Sequence, residues 1–135
     1  MLIIVASANI FRRELTSYVL GEAGYRVNEA RDRATLLASL SRSGPLLAVI
    51  DAQIDGGPPA GLLADIRRRS QVPLLWIAEP DAARSLLMGD EEPAAAIPWP
   101  YHPDDLLAQI GALRERLEAR WASGMPRARY AGTAE

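Results

Sequence analysis

The chain has no cysteine and no lysine, and its 135 residues include a single histidine, His102. Without cysteine there is no disulfide, no thiolate zinc site and no cysteine nucleophile. One histidine cannot assemble a histidine metal cluster or a catalytic triad. All 15 basic residues are arginines. No apolar run is long enough to span a membrane, and no signal-peptide pattern precedes the first apolar run. The expectation is a cytoplasmic protein. A formal net charge of −2 gives no electrostatic reason to expect nucleic acid or an anionic membrane as partner.

The residues present describe an ordinary globular domain, 49% apolar and 24% charged. The length allows one domain with a full core, not two. Leu2-Ile3-Ile4-Val5 is a short continuous β-branched run, the pattern of a strand buried on both faces. Asn9 then offers a helix cap, and Phe11, Leu15, Tyr18 and Val19 recur at helical spacing up to Gly21 and Gly24. Tyr25 to Ala30 is expected as a second strand, followed by a helix capped by Asp32 and carrying Leu36, Leu37 and Leu40. Leu46 to Ile50 forms a third strand that ends abruptly in Asp51. The Gly- and Pro-rich stretch from Gln53 to Gly61 is a loop, and a helix with Leu62, Leu63 and Ile66 follows.

Pro73 opens a fourth strand, Leu74 to Ile77, and Pro80-Asp81 starts a short fourth helix. Ala94 to Pro98 is a fifth strand whose proline places it at a sheet edge. Pro103, Asp104 and Asp105 suit the first turn of a last helix that reaches Trp121. The domain is expected to span residues 1–122, with 123–135 a flexible tail or the start of a linker. Strands and helices in strict alternation mean a parallel sheet covered on both faces. The flavodoxin-like order 2-1-3-4-5 is the expected topology, with ligands bound where strands 1 and 3 diverge. Asp51 lies at that point.

Several stretches resemble the receiver domains of bacterial response regulators, the CheY-like family. Val5 to Arg12 is similar to the family's first strand and following helix, and Leu20 to Tyr25 to the end of that helix. Ala48-Val49-Ile50-Asp51 resembles the strand that delivers the phosphoacceptor aspartate. Val72 to Ala78 is similar to strand 4, and Trp99-Pro100-Tyr101 resembles the lysine-proline-aromatic signature after strand 5. The likeness covers roughly residues 2 to 120, and its strength is the order of several weak motifs.

The resemblance implies a chemistry that this chain lacks the parts to perform. A receiver accepts a phosphoryl group from a histidine kinase on its aspartate, and positive charge must offset the two negative partners. In the family an acidic pair after strand 1 holds Mg²⁺, a hydroxyl follows strand 4, and a lysine follows strand 5. A strand-5 aromatic and the hydroxyl carry the switch. Here the acidic pair maps onto Ala6 and Ser7, the hydroxyl onto Ala78, the lysine onto Trp99 and the aromatic onto Ala96. Losing one such group typically costs about 3–4 kcal/mol of transition-state stabilisation. The expectation is a pseudo-receiver in which Asp51 keeps its position without metal ligands, hydroxyl or counter-charge. Mg²⁺ binds weakly at most, and no other cofactor is expected.

Trp99 is expected to fill the pocket, with a cis bond to Pro100, and the long loop after Asp51 is a second candidate to occupy it. Asp55 in that loop reads as turn chemistry, Arg67 to Arg69 as a solvated helix end, and Trp76 as core. The resemblance implies protein partners, a histidine kinase or an output domain, engaged through helix 4, strand 5 and helix 5. Leu106 to Leu113 cover the sheet, whereas Leu117 and Trp121 are the candidates for partner contact or a homodimer through the last helix. The alternatives are a phosphorylatable receiver using Asp51 and, more remotely, a small-ligand binder. No Gly-rich phosphate loop and no nucleophile–base pair is visible, so no enzyme is expected.

Overall fold

Alternate residues of a strand point to opposite faces, so a strand buried on both sides needs apolar residues throughout. In the computed structural model, which describes residues 1–42 and 44–124, β1 (Leu2–Ala6), β3 (Pro45–Asp51) and β4 (Leu74–Ile77) meet that need. They form the middle of a five-stranded parallel sheet in the order β2-β1-β3-β4-β5. The edges are β2 (Arg26–Ala30), with polar Arg26, Asn28 and Glu29, and the alanine-rich β5 (Ala94–Ile97). The fold is the expected flavodoxin-like one, and the proline-flanked fifth strand does lie at an edge.

Among the described residues five helices cover the faces: α1 (Ile10–Glu22), α2 (Arg33–Leu40), α3 (Leu62–Arg67), α4 (Pro80–Met88) and α5 (Pro103–Ala122). Ile4, Ala6, Ala48, Ile50 and Trp76 face α2, α3 and α4, packing on Leu36, Leu62, Ile66 and Leu86. Ile3, Val5, Val49 and Leu75 face α1 and α5, against Leu20, Leu106, Ile110 and Leu113. Trp76 is fully buried, as core. Asn9 caps α1 by accepting from the amide of Arg12 at 3.0 Å, and Asp32 caps α2 through Thr35 at 2.8 Å. Each such cap is worth about 1 kcal/mol.

Three details depart from the local reading. Tyr25 lies outside β2, because its amide donates to Leu20 O in closing off α1 and its hydroxyl accepts from Arg114 at 3.0 Å. Arg67 is no part of a solvated helix end. It holds Asp90 through two contacts of 2.6 and 2.9 Å, while Arg68 and Arg69 are exposed. Leu117 is 1% exposed, which removes it as a residue presented to a partner. The helix continues over the amino end of the sheet, where Leu117 and Trp121 border a cavity with Met1, Leu2 and Leu46. The expected tail lies, from residue 125 onward, outside the described residues.

Candidate functional site

Because β1 and β3 are adjacent, with Ala6 opposite Ile50, the residues just beyond those partners meet at the carboxyl end of the sheet. Those residues are Ser7 and Asp51, both buried. The Ser7 hydroxyl donates to Asp51 Oδ2 at 2.8 Å, and the Gln53 amide donates to Oδ1 at 3.0 Å. Arg12 enters from the first turn of α1 and brings Nη1 to 3.5 Å from the same Oδ2. The expectation that Asp51 lacks a hydroxyl and a counter-charge is therefore corrected. Ser7 supplies the hydroxyl and Arg12 the charge, both from the β1–α1 segment and neither from the strand-4 or strand-5 loops.

A cavity of about 240 Å³ opens above the carboxylate. Asp51, Arg12, Ala78, Ala82, Glu79 and Trp99 contribute to its walls. Trp99 lines this space and does not fill it, because its ring is held to one side. It stands edge-on to Phe11, with centroids 6.3 Å apart, and to Tyr101 at 5.3 Å, while the Arg12 guanidinium lies 5.0 Å from its centroid. The Trp99–Pro100 bond is cis, as expected. The Tyr101 hydroxyl shares a 2.5 Å hydrogen bond with buried Thr16. Burial of Tyr101 pushes its pKa above the usual phenol value, partly offset by that bond.

The long loop after Asp51 does not enter the cavity either; Gly57, Pro58 and Pro59 only border it. Arg33 of α2 straps that loop outward, donating to Asp55 at 2.8 Å, to Asp65 at 2.5 Å and to Ala60 O at 3.2 Å. Asp55 thus serves loop anchoring. Ala78 and Ala96 present only methyl groups: Ala78 is buried at the cavity wall, and Ala96 is half-buried in β5. Among the described residues no cluster of three or more His, Cys, Asp or Glu side chains is placed to hold a metal ion.

Sequence reasoning missed Arg12. A signal existed, since an arginine in the first turn after Asn9 lies on the helix end nearest the expected site. Its choice of Asp51 over solvent required the tertiary packing of α1.

No family model matches the chain. It is 26% identical over 101 residues to the sensory transduction protein RegX3 of Mycolicibacterium smegmatis, a match spanning 74% of this chain and 44% of that protein. The receiver domain of NtrX from Brucella abortus superposes with a TM-score of 0.74 at 22% identity, over 84% of this chain and 98% of that one. A CheY-like response regulator receiver domain from Methanospirillum hungatei JF-1 gives 0.69 at 23%, over 87% and 97%. The chain has the CheY-like fold of these response-regulator receiver domains.

Proposed function

We propose that this chain is an atypical receiver module that signals through protein contacts, is not an enzyme, and undergoes little or no Mg²⁺-dependent phosphorylation at Asp51. One observation carries the reading: the Arg12 guanidinium sits 3.5 Å from Asp51 Oδ2, beside a β1 end that offers no second carboxylate. Mg²⁺ demands a near-octahedral shell of oxygens. Two carboxylates on the cavity wall, Asp51 and Glu79, with a hydroxyl already bonded to Asp51 and a guanidinium beside it, do not fit that demand. Ala78 and Trp99 add neither a hydroxyl nor an ammonium for an incoming phosphoryl group.

The second reading, phosphotransfer to Asp51 from a histidine kinase, is favoured by the cavity above the carboxylate and by the positive charge on its wall. One experiment separates the two. The chain is incubated with acetyl phosphate, or beryllofluoride and Mg²⁺, and read by intact mass and NMR. The proposal expects an unmodified chain and unchanged spectra; a stable adduct on Asp51 establishes the second reading instead.

The partner this reading calls for is a protein: a histidine kinase, an output domain or a second copy of the chain. Nucleic acid and membrane are not proposed, and among the described residues no helix is long and apolar enough to cross a membrane. With Leu117 buried, half-buried Trp121 is the remaining contact residue proposed on the end of α5. Light scattering of the full chain and of Trp121→Ala tests the second copy, which requires a dimer that the substitution weakens.

A further inference from the structure

The polar contacts of the Asp51 carboxylate run toward Ser7, the Gln53 amide and Arg12. Of these, Ser7 continues to Asn9, whose amide donates to the Ser7 hydroxyl at 3.1 Å, and Arg12 alone reaches the aromatic residues at the rim. Its guanidinium is shared between the carboxylate, at 3.5 Å, and the face of Trp99, at 5.0 Å. A cation over an indole face is held by the ring quadrupole, so the position of Arg12 reflects a balance between a full negative charge and a weaker aromatic attraction. Trp99 in turn packs edge-on against Phe11 and Tyr101, and Phe11 is 67% exposed. A continuous set of contacts thus joins a buried carboxylate to the surface at the start of α1. Toward α4 and β5 the neighbours are the methyl groups of Ala78, Ala82 and Ala96 and the side chain of Glu79 at the start of α4, and among the described residues none of these is hydrogen-bonded or ion-paired to Asp51 or Arg12.

We propose that Arg12 is a positioning residue that couples the charge on Asp51 to the Phe11–Trp99–Tyr101 rim. The responsive surface of this domain is then the start of α1 with the β5–α5 loop, and the α4–β5 side stays passive. When Asp51 is neutral, Arg12 loses its stronger partner and settles on Trp99 and the cavity, and the rim rearranges. This coupling is independent of whether Asp51 is ever phosphorylated, so the phosphodonor experiment and the one below fail separately.

The test is NMR of the full chain as wild type, Asp51→Asn, Arg12→Gln and the double variant. Asparagine keeps the shape of Asp51 while removing the charge: its oxygen can still accept from the Gln53 amide, and its NH2 can donate to a Ser7 hydroxyl that turns to accept. Asp51→Asn is expected to move the Trp99 indole signal and the amides of residues 10–14 and 99–102, leaving residues 84–96 unchanged. In the Arg12→Gln background the same substitution should move the rim at least about threefold less, the non-additivity that marks direct coupling. Equal movement with and without Arg12, or movement concentrated in residues 84–96, overturns the proposal. If Asp51→Asn fails to fold, Arg12→Gln alone decides: a shifted Trp99 indole with Trp76 and Trp121 unmoved supports the coupling, and an unmoved Trp99 refutes it.

Discussion

Two arginine–aspartate pairs lie at opposite ends of the same sheet, and they are built differently. At the amino end, Arg67 grips Asp90 with two nitrogens at 2.6 and 2.9 Å, and its Nη1 also donates to Val72 O at 2.7 Å. The Asp90 side chain is 1% exposed and accepts a further bond from the Glu92 amide. At the carboxyl end, Arg12 touches Asp51 through one nitrogen at 3.5 Å and otherwise faces an aromatic ring and a cavity. The first pair has the bidentate, saturated geometry of a structural clamp joining the end of α3 to the chain before β5. The second leaves most of its donors uncommitted beside open space. A clamp resists exchange of partners, and a loose pair with alternatives permits it. The loose pair occupies the end of the sheet where this fold binds ligands.

The comparison can be broken by substitution. Arg67→Ala strands a buried carboxylate and should cost about 3–5 kcal/mol of stability, read as a fall in the urea midpoint with unchanged slope. Arg12→Gln leaves Asp51 bonded to Ser7 and Gln53 and able to meet water in the cavity. It should cost about 1 kcal/mol or less, the range for a partly solvated pair, with a loss that shrinks further in high salt. Equal costs would show both pairs to be structural. A cost at Arg12 approaching that at Arg67 would mean that Asp51 depends on its counter-charge to stay folded, and would remove the basis for a mobile Arg12.

Legibility followed the range of the interactions. The strands were readable because full burial forces uninterrupted apolar runs such as Ile3 to Val5 and Leu47 to Ile50, and their alternation with helices restricts the topology. Asn9 and Asp32 were readable because a cap acts within three residues. The fate of Leu117 was not. Its spacing on α5 continues the buried stripe, and only the overhang of the helix above Met1, Leu2 and Leu46 decides whether that stripe meets protein or solvent. Arg67 escaped for the same reason, because Asp90 arrives from beyond α4.

By itself, the sequence determined the order of elements, the placement of Asp51 at the end of the third strand, and the absence of any lysine. Composition and local periodicity suffice for these, since an absent residue type cannot be restored by folding. Tertiary structure alone decided that Ser7 and Arg12 attend Asp51, that Arg33 holds the long loop off the site, and that Trp99 leaves a cavity open. Each of these depends on where a long side chain from one element ends relative to another. Crossover geometry sets such distances, and the residues in between do not encode them.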